Sequence, residues 1–344
     1  MIIKNFDTRE RVLVVAEIGN NHEGNFDMAR RLVEAAADSG AHAVKFQTFR
    51  TERFISPTDV ARVKRLKSFE LSYPQFAALA ELARSRGLLF VSTPLDLGSA
   101  EFLDGIVDAF KIASADNDFY PLLGRVAAFK KPVIVSTGVS DLAQAERSVS
   151  FVRGEWARHG TTGDLAVLHC VSAYPTPPEE AGLRAMPVLA DACQCTIGYS
   201  DHTIGTEAAV LAVALGARII EKHFTLDKHY SDFRDHQLSA DPAEMRTLVT
   251  RVAAAERMLG DAVKRVQPSE QIGVQAYRRS IAVSRDLARG HRIEFSDLVW
   301  LRPGGRMAPG REDELVGKAL TRDVSAGEQL DPTDIEDAGR RVGA

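Results

Sequence analysis

Eight times between Val12 and Leu259, a short β-branched apolar run gives way to a longer Ala- and Leu-rich stretch of helical period. That alternation marks parallel βαβ units, because a strand joining a parallel neighbour needs a crossover helix. The runs are VLVVAEI (12–18), AVKFQ (43–47), LLFVST (88–93), AFKIAS (109–114), PVIVST (132–137), LAVLHC (165–170), CTIGYS (195–200) and RIIEKHF (218–224). Eight units favour a closed (β/α)8 barrel. An open doubly wound sheet is disfavoured because no GxGxxG turn follows the first run. Between the runs, Asn25 is placed to cap the start of NFDMARRLVEAAADSG and Gly40 to close it, with Gly87 closing SYPQFAALAELARSRG.

A barrel takes roughly 250 residues, so a chain of 344 has room for a small companion. Past residue 260 the pattern changes. A polar stretch, GDAVKRVQPSEQIGVQAY, leads into short strands with turn glycines at 290, 304 and 305 and no long helix. The division expected is a barrel over 1–262, a linker over 263–277 and a mostly β domain over 278–344, ending in a loose polar tail, EDAGRRVGA.

Lys and Arg number 43 against 47 Asp and Glu, a net charge of −4, which argues against a general nucleic-acid binder. At 45% hydrophobic and 26% charged residues, a sizeable core is within reach. No apolar run reaches the roughly 18 residues of a membrane helix. The opening MIIKNFDTRERVLVVAEIG carries Asp and Glu where a signal peptide needs an unbroken apolar stretch. A cytoplasmic protein is expected. Cys170, Cys193 and Cys195 are odd in number, and the CxC pair supplies too few ligands for structural zinc, so they read as small buried residues.

Barrel strands should be apolar inside, yet polar residues recur near their C-terminal ends: Glu17, Lys45 with Gln47, Thr93, Lys111 with Ser114, Ser136 with Thr137, His169, Ser200 to His202, and Glu221 with His223. Their spacing is roughly that of one βα unit, about 30 residues. In a closed barrel they converge on one mouth, the face where barrel enzymes keep their chemistry. Lys45 and Lys111, inside apolar strands, each need an anion. A neighbouring carboxylate would serve, but with hydroxyls at Thr93, Ser114 and Ser136 the set suits an anionic substrate bearing phosphate or carboxylate. His202 and His223 end consecutive strands beside Asp201 and Glu221. A divalent metal of the manganese or zinc kind fits between them, with positions open to water and substrate. His22 either contacts substrate or caps a turn.

The strings VAEIGNNHEGN, AVKFQTF, FVSTPLD, FKIASADN, PVIVSTG, VLHCVSAYPTP, GYSDHT and EKHFT, followed by RRSI and WLRPGG, resemble the N-acetylneuraminate (sialic acid) synthase family, which includes legionaminate and pseudaminate synthases. The resemblance runs over essentially the whole chain and implies a TIM barrel followed by a C-terminal antifreeze-like (SAF) domain. It implies a transferase that condenses phosphoenolpyruvate with the open-chain aldehyde of N-acetylmannosamine or a related N-acyl amino sugar, releasing phosphate, with a divalent metal, commonly Mn2+ (Mg2+, Co2+ or Zn2+ being alternatives). Position by position, it makes His202 and His223 metal ligands and sets Lys45, Thr93, Lys111, Ser114, Ser136 and Ser200 around phosphoenolpyruvate. Gln47, Asp116, Ser172, Tyr174 and Asp235 fall where sugar contacts are expected. Glu17 is the acidic residue of the first strand and is assigned proton handling, and Glu221 is expected to orient a histidine or a water. Arg302 of WLRPGG matches an arginine that reaches the sugar site of a partner subunit, which implies a domain-swapped homodimer.

Two positions depart from the family pattern. Asp116 stands where many members have Glu, and Ser172 where Asn is frequent; both lie on the sugar side. Two other readings compete: a synthase making a seven- or eight-carbon 3-deoxy acid from a phosphorylated aldose, and a catalytically silent sugar-binding protein. The SAF-like region and only two convincing metal ligands disfavour the first. Retention of both histidines and both lysines disfavours the second.

Overall fold

The computed structural model describes residues 1–336 and forms two compact units, Met1–Gly260 and a second from Asp261 onward. The first is a closed barrel of eight parallel strands: β1 (Leu13–Gly19), β2 (Ala43–Thr48), β3 (Leu89–Pro94), β4 (Ala109–Ile112), β5 (Val133–Ser136), β6 (Leu165–Cys170), β7 (Thr196–Asp201) and β8 (Ile219–His223), with β8 pairing back onto β1. All eight expected runs are strands, with ends shifted by a residue or two.

Alternation along each strand divides the residues into two cores. One set, including Val14, Val44, Phe46, Phe90 and Phe110, packs outward against the helices. The other points into the bore, where Leu13, Val15, Ala43, Leu89, Val91, Ala109, Ile134, Ala166, Leu168 and Ile219 fill the lower part. A two-stranded hairpin (Ile2–Ile3 with Phe6–Asp7) adds Met1, Ile3 and Phe6 to that cluster and plugs the bottom. Continuing each inward series up the strands replaces the apolar residues by Glu17, Lys45, Thr93, Lys111, Ser136, Cys170, Ser200 and Glu221. One end of the bore is a core and the other a site.

The helices start where side chains satisfy their free N–H groups. Asn25 accepts from Met28 at the start of Phe26–Asp38; Ser72 and Gln75 form a capping box on Tyr73–Ser85, as do Asp241 and Glu244 on Pro242–Leu259. Gly40 and Gly87 follow helix ends with φ of +82° and +76°, the left-handed conformation that glycine reaches without strain.

The second unit pairs β9 (Ser280–Val283) antiparallel with β10 (Leu298–Leu301) over a small core of Ile281, Val283, Leu287, Ile293, Leu298, Met307, Leu315, Leu320, Val324 and Leu330. Buried Asp297 accepts from Arg285 and His291, and buried Asp334 from Arg322. The expected loose tail, apart from Glu336, lies outside the described residues. Among the described residues no helix is long and apolar enough to cross a membrane.

Candidate active site

Four charged side chains meet at the top of the bore. Lys45 Nζ lies 2.8 Å from Glu17 Oε1 and 3.6 Å from Glu221 Oε1, and Lys111 Nζ lies 3.6 Å from Glu221 Oε2. Lys111 on β4 reaches Glu221 on β8 across the width of the barrel, which only closure of the sheet permits. All four are buried. The Glu17 carboxyl is pushed above the usual carboxylate range by burial, which outweighs the pull of Lys45. Burial also opposes the charge on Lys45, but two carboxylates reverse it and its pKa rises. Lys111, for which burial dominates over Glu221, has its pKa lowered. At Glu221 burial is overcome by the two ammonium groups, and its carboxyl stays below the ordinary range.

Above this layer the His202 and His223 rings stand with centroids 5.2 Å apart. His202 Nδ1 donates to the Val171 carbonyl at 2.7 Å, leaving the Nε2 lone pair free, the arrangement that orients an imidazole as a metal ligand. Burial drives the His223 pKa far below its usual value, so that ring is neutral. Among the described residues, His223 Nδ1, Asp235 Oδ1 and Glu17 Oε2 are buried without a hydrogen-bond partner. Each orphan costs about 1–3 kcal/mol, a cost that a bound ion or substrate would remove. No group of three His, Cys, Asp or Glu among the described residues is placed to hold a metal. Two imidazoles would leave the remaining positions of an ion to water and substrate.

Hydroxyls surround this centre. Ser200 donates to Glu221 at 3.0 Å, Lys45 reaches Thr93 at 3.5 Å, and Ser136 Oγ is buried and unpaired among the described residues. Ser114 accepts from the Gly138 N–H at 3.0 Å. A Cβ at Gly138 would come within 2.3 Å of Ser172 Oγ and 2.8 Å of Ser114 Oγ, so glycine lets both hydroxyls close on the turn. Gly19 does the same for the carboxylate, since a Cβ there would meet Glu17 Oε1 at 2.9 Å. To the other side opens a cavity of about 820 Å3 lined by Asn20, Gln47, Tyr174, His223 and Asp235, with Arg62, Arg65 and Arg234 and an apolar wall of Phe54, Leu66, Phe69 and Phe233. Gln47 links inward to Glu17 at 3.4 Å and accepts from Asn20 at 2.9 Å. Tyr174 packs on His202 at 4.1 Å and carries the Arg234 guanidinium at 4.5 Å. Asp235 Oδ2 is 3.8 Å from His223 Nδ1.

The structure thus brings Glu17, Lys45, Gln47, Thr93, Lys111, Tyr174, Ser200, His202, Glu221, His223 and Asp235 to one mouth, with Ser114, Ser136 and Ser172 beside them. Asp116 ends the turn Ser114–Asp116 that follows β4. Arg302 belongs to the second unit, where its Nε donates to the Tyr277 carbonyl at 2.8 Å. Glu221 sits between the two lysines and accepts from Ser200. One expectation changes. Asp201 and His169 share strands with site residues but alternate to the outer face, where Asp201 pairs with Lys222 and His169 donates to the Ala181 carbonyl. His22 caps a turn, its Nδ1 accepting from the Gly24 N–H at 3.0 Å. Sequence reasoning missed Asn20, Arg234, the phenylalanine wall and Cys170, whose sulfur lies 3.7 Å from His202 Nδ1. The period-2 alternation of β6 places Cys170 inward, a signal its small size concealed.

The chain matches the NeuB family over residues 32–264 and the SAF domain over residues 278–336. N,N'-diacetyllegionaminic acid synthase of Legionella pneumophila is 39% identical to it over 331 residues, 92% of each chain. Pseudaminic acid synthase of Campylobacter jejuni is 33% identical over 351 residues, 97% of this chain and 100% of the other. The crystal structure of N-acetylneuraminic acid synthetase from Leptospira borgpetersenii, in complex with citrate, aligns with a TM-score of 0.74 at 34% identity, covering 80% of this chain and 94% of that one.

Proposed function

Because this chain belongs to the NeuB family, we propose that it condenses phosphoenolpyruvate with the aldehyde of N-acetylmannosamine or a related N-acyl amino sugar, giving a nonulosonic acid and phosphate. The observation that carries this reading is the layer of two ammonium and two carboxylate groups beneath a pair of imidazoles. When all four are ionised their charges cancel, so a trianionic substrate then brings negative charge that the layer alone does not neutralise. His202 and His223 would hold a divalent cation, manganese by preference, which when bound would polarise the aldehyde oxygen as a Lewis acid.

Lys45 and Lys111 take the phosphate and carboxylate of phosphoenolpyruvate, aided by the hydroxyls of Thr93, Ser114, Ser136 and Ser200. Phosphoenolpyruvate C3 bonds to the aldehyde carbon and water adds at C2. One water proton ends on the new hydroxyl and the other leaves with phosphate as the C–O bond breaks. Glu17, with its raised pKa, carries a proton between these oxygens. Gln47, Asp116, Ser172, Tyr174 and Asp235 orient the sugar, and Arg302 reaches it from the second subunit of a domain-swapped homodimer. In this arrangement the barrel spans 1–262, a linker 263–277 and the SAF-type domain 278–344, and the enzyme works in the cytoplasm, where phosphoenolpyruvate is made.

The test is phosphate release from phosphoenolpyruvate with N-acetylmannosamine, its 2,4-diacetamido-trideoxy relatives or arabinose 5-phosphate as acceptor. Turnover with an N-acyl amino sugar supports the reading. Release only with arabinose 5-phosphate, or with no acceptor, refutes it.

A further inference from the structure

The two imidazoles are held in place from the opposite face of their strands. Lys222 and Asp201 are register partners on β8 and β7, each directly preceding one of the histidines and pointing out of the bore. Both are fully buried, between barrel and helices. Lys222 Nζ lies 3.0 Å from Asp201 Oδ2 and also donates to the Thr203 carbonyl. The other Asp201 oxygen accepts from the Thr203 N–H at 2.8 Å and from its hydroxyl at 2.7 Å. His202 is therefore flanked by two residues tied to one ammonium group, and that ammonium belongs to the neighbour of His223.

The location has no other evident use. The pair faces none of the groups in the bore, and a buried ion pair gives no net stability over well-packed apolar residues. What it does provide is a short, charge-assisted tether between the two strand ends. The Val171 carbonyl orients the His202 ring, and the backbone carbonyls of His202 and His223 accept from Thr176 and Ala240 at 2.9 and 2.7 Å. The backbone ladder of β7 and β8 and the Ser200 to Glu221 hydrogen bond join the two strands as well; the Asp201–Lys222 pair adds a side-chain bond at the residues adjoining the two rings.

We propose that Asp201 and Lys222 are positioning residues that set the separation of the His202 and His223 rings and hence the affinity of that pair for a divalent cation. The inference rests on the reading of the imidazoles as cation ligands. Its test is cobalt(II) binding to the full-length protein without substrate, followed by visible absorption. The proteins compared are wild type, His202→Ala, Asp201→Asn and the double variant Asp201→Asn/Lys222→Met. The double variant leaves no unpaired buried charge, so it folds where Lys222→Met alone would strand a carboxylate. Both Asp201 variants are expected to bind cobalt(II) roughly 10–100-fold more weakly, the range for partners that orient metal ligands, with altered absorption bands. A purely structural role would instead let affinity recover along with the unfolding temperature of the double variant. A double variant with wild-type affinity and spectrum overturns the proposal. Wild-type protein that takes up no cobalt(II), or is unaffected by His202→Ala, overturns the imidazole reading and this inference with it.

Discussion

Asp116 offers a pH-dependent readout of the turn after β4 that does not require a substrate. It closes the turn Ser114–Asp116, where burial, and after it the neighbouring Asp118 carboxylate, raise its pKa from 3.8 to about 6. The folded protein therefore holds this proton more tightly than the unfolded chain. Its stabilising contribution is complete below about pH 4 and is lost as pH rises through about 6. A shift of this size corresponds to about 3 kcal/mol at most, and about 2 kcal/mol of it falls between pH 4.5 and 7.5 because the unfolded carboxyl already ionises at the lower limit. The side chain is partly exposed, so solvent screening reduces this to about 1–2 kcal/mol. Asp116→Asn removes the titration while keeping the shape. Urea unfolding followed by far-UV ellipticity at pH 4.5, 6.0 and 7.5 gives the stability of both proteins, and their difference cancels every other titrating group. The variant is expected to gain about 1–2 kcal/mol on wild type between the two limits. A difference independent of pH would show that burial does not hold the Asp116 proton and would refute the reasoning.

His202→Ala and His223→Ala are each expected to abolish phosphate release while leaving the urea midpoint nearly unchanged, because both rings stand at the mouth of the bore, outside its apolar core. Loss of the fold in either variant would count against that. Dialysis against a chelator should remove activity and added Mn2+ should restore it; activity indifferent to both treatments contradicts the cation assignment. Arg302→Ala is expected to raise KM for the sugar with little effect on KM for phosphoenolpyruvate. Unaltered sugar kinetics would remove the proposed contribution of the second unit.

Most of the barrel was legible because period and punctuation agree. Strand runs such as LAVLHC, the cap at Asn25 and the closing glycines at 40 and 87 each specify local structure through contacts within a few residues. The site was legible in outline for a related reason: a lysine in an apolar strand is costly enough to announce itself. Which group answers it was not legible. Lys111 and Glu221 are four strands apart and meet only because the sheet closes, and sequence spacing contains no information about what stands across a bore. Hence spacing alone offered Glu221 only its neighbours in sequence, whereas closure places it between two ammonium groups. The second gap came from treating strand ends as clusters. Ser200, Asp201 and His202 read as one polar group, yet alternation sends Ser200 and His202 inward and Asp201 outward to Lys222. Applied residue by residue, the same rule divides EKH into Glu221 and His223 for the site and Lys222 for the support behind it. A charged residue between two site residues on a barrel strand is thus no further member of the site. It needs its own partner on the adjacent strand, and β7 supplies that partner at the matching register position.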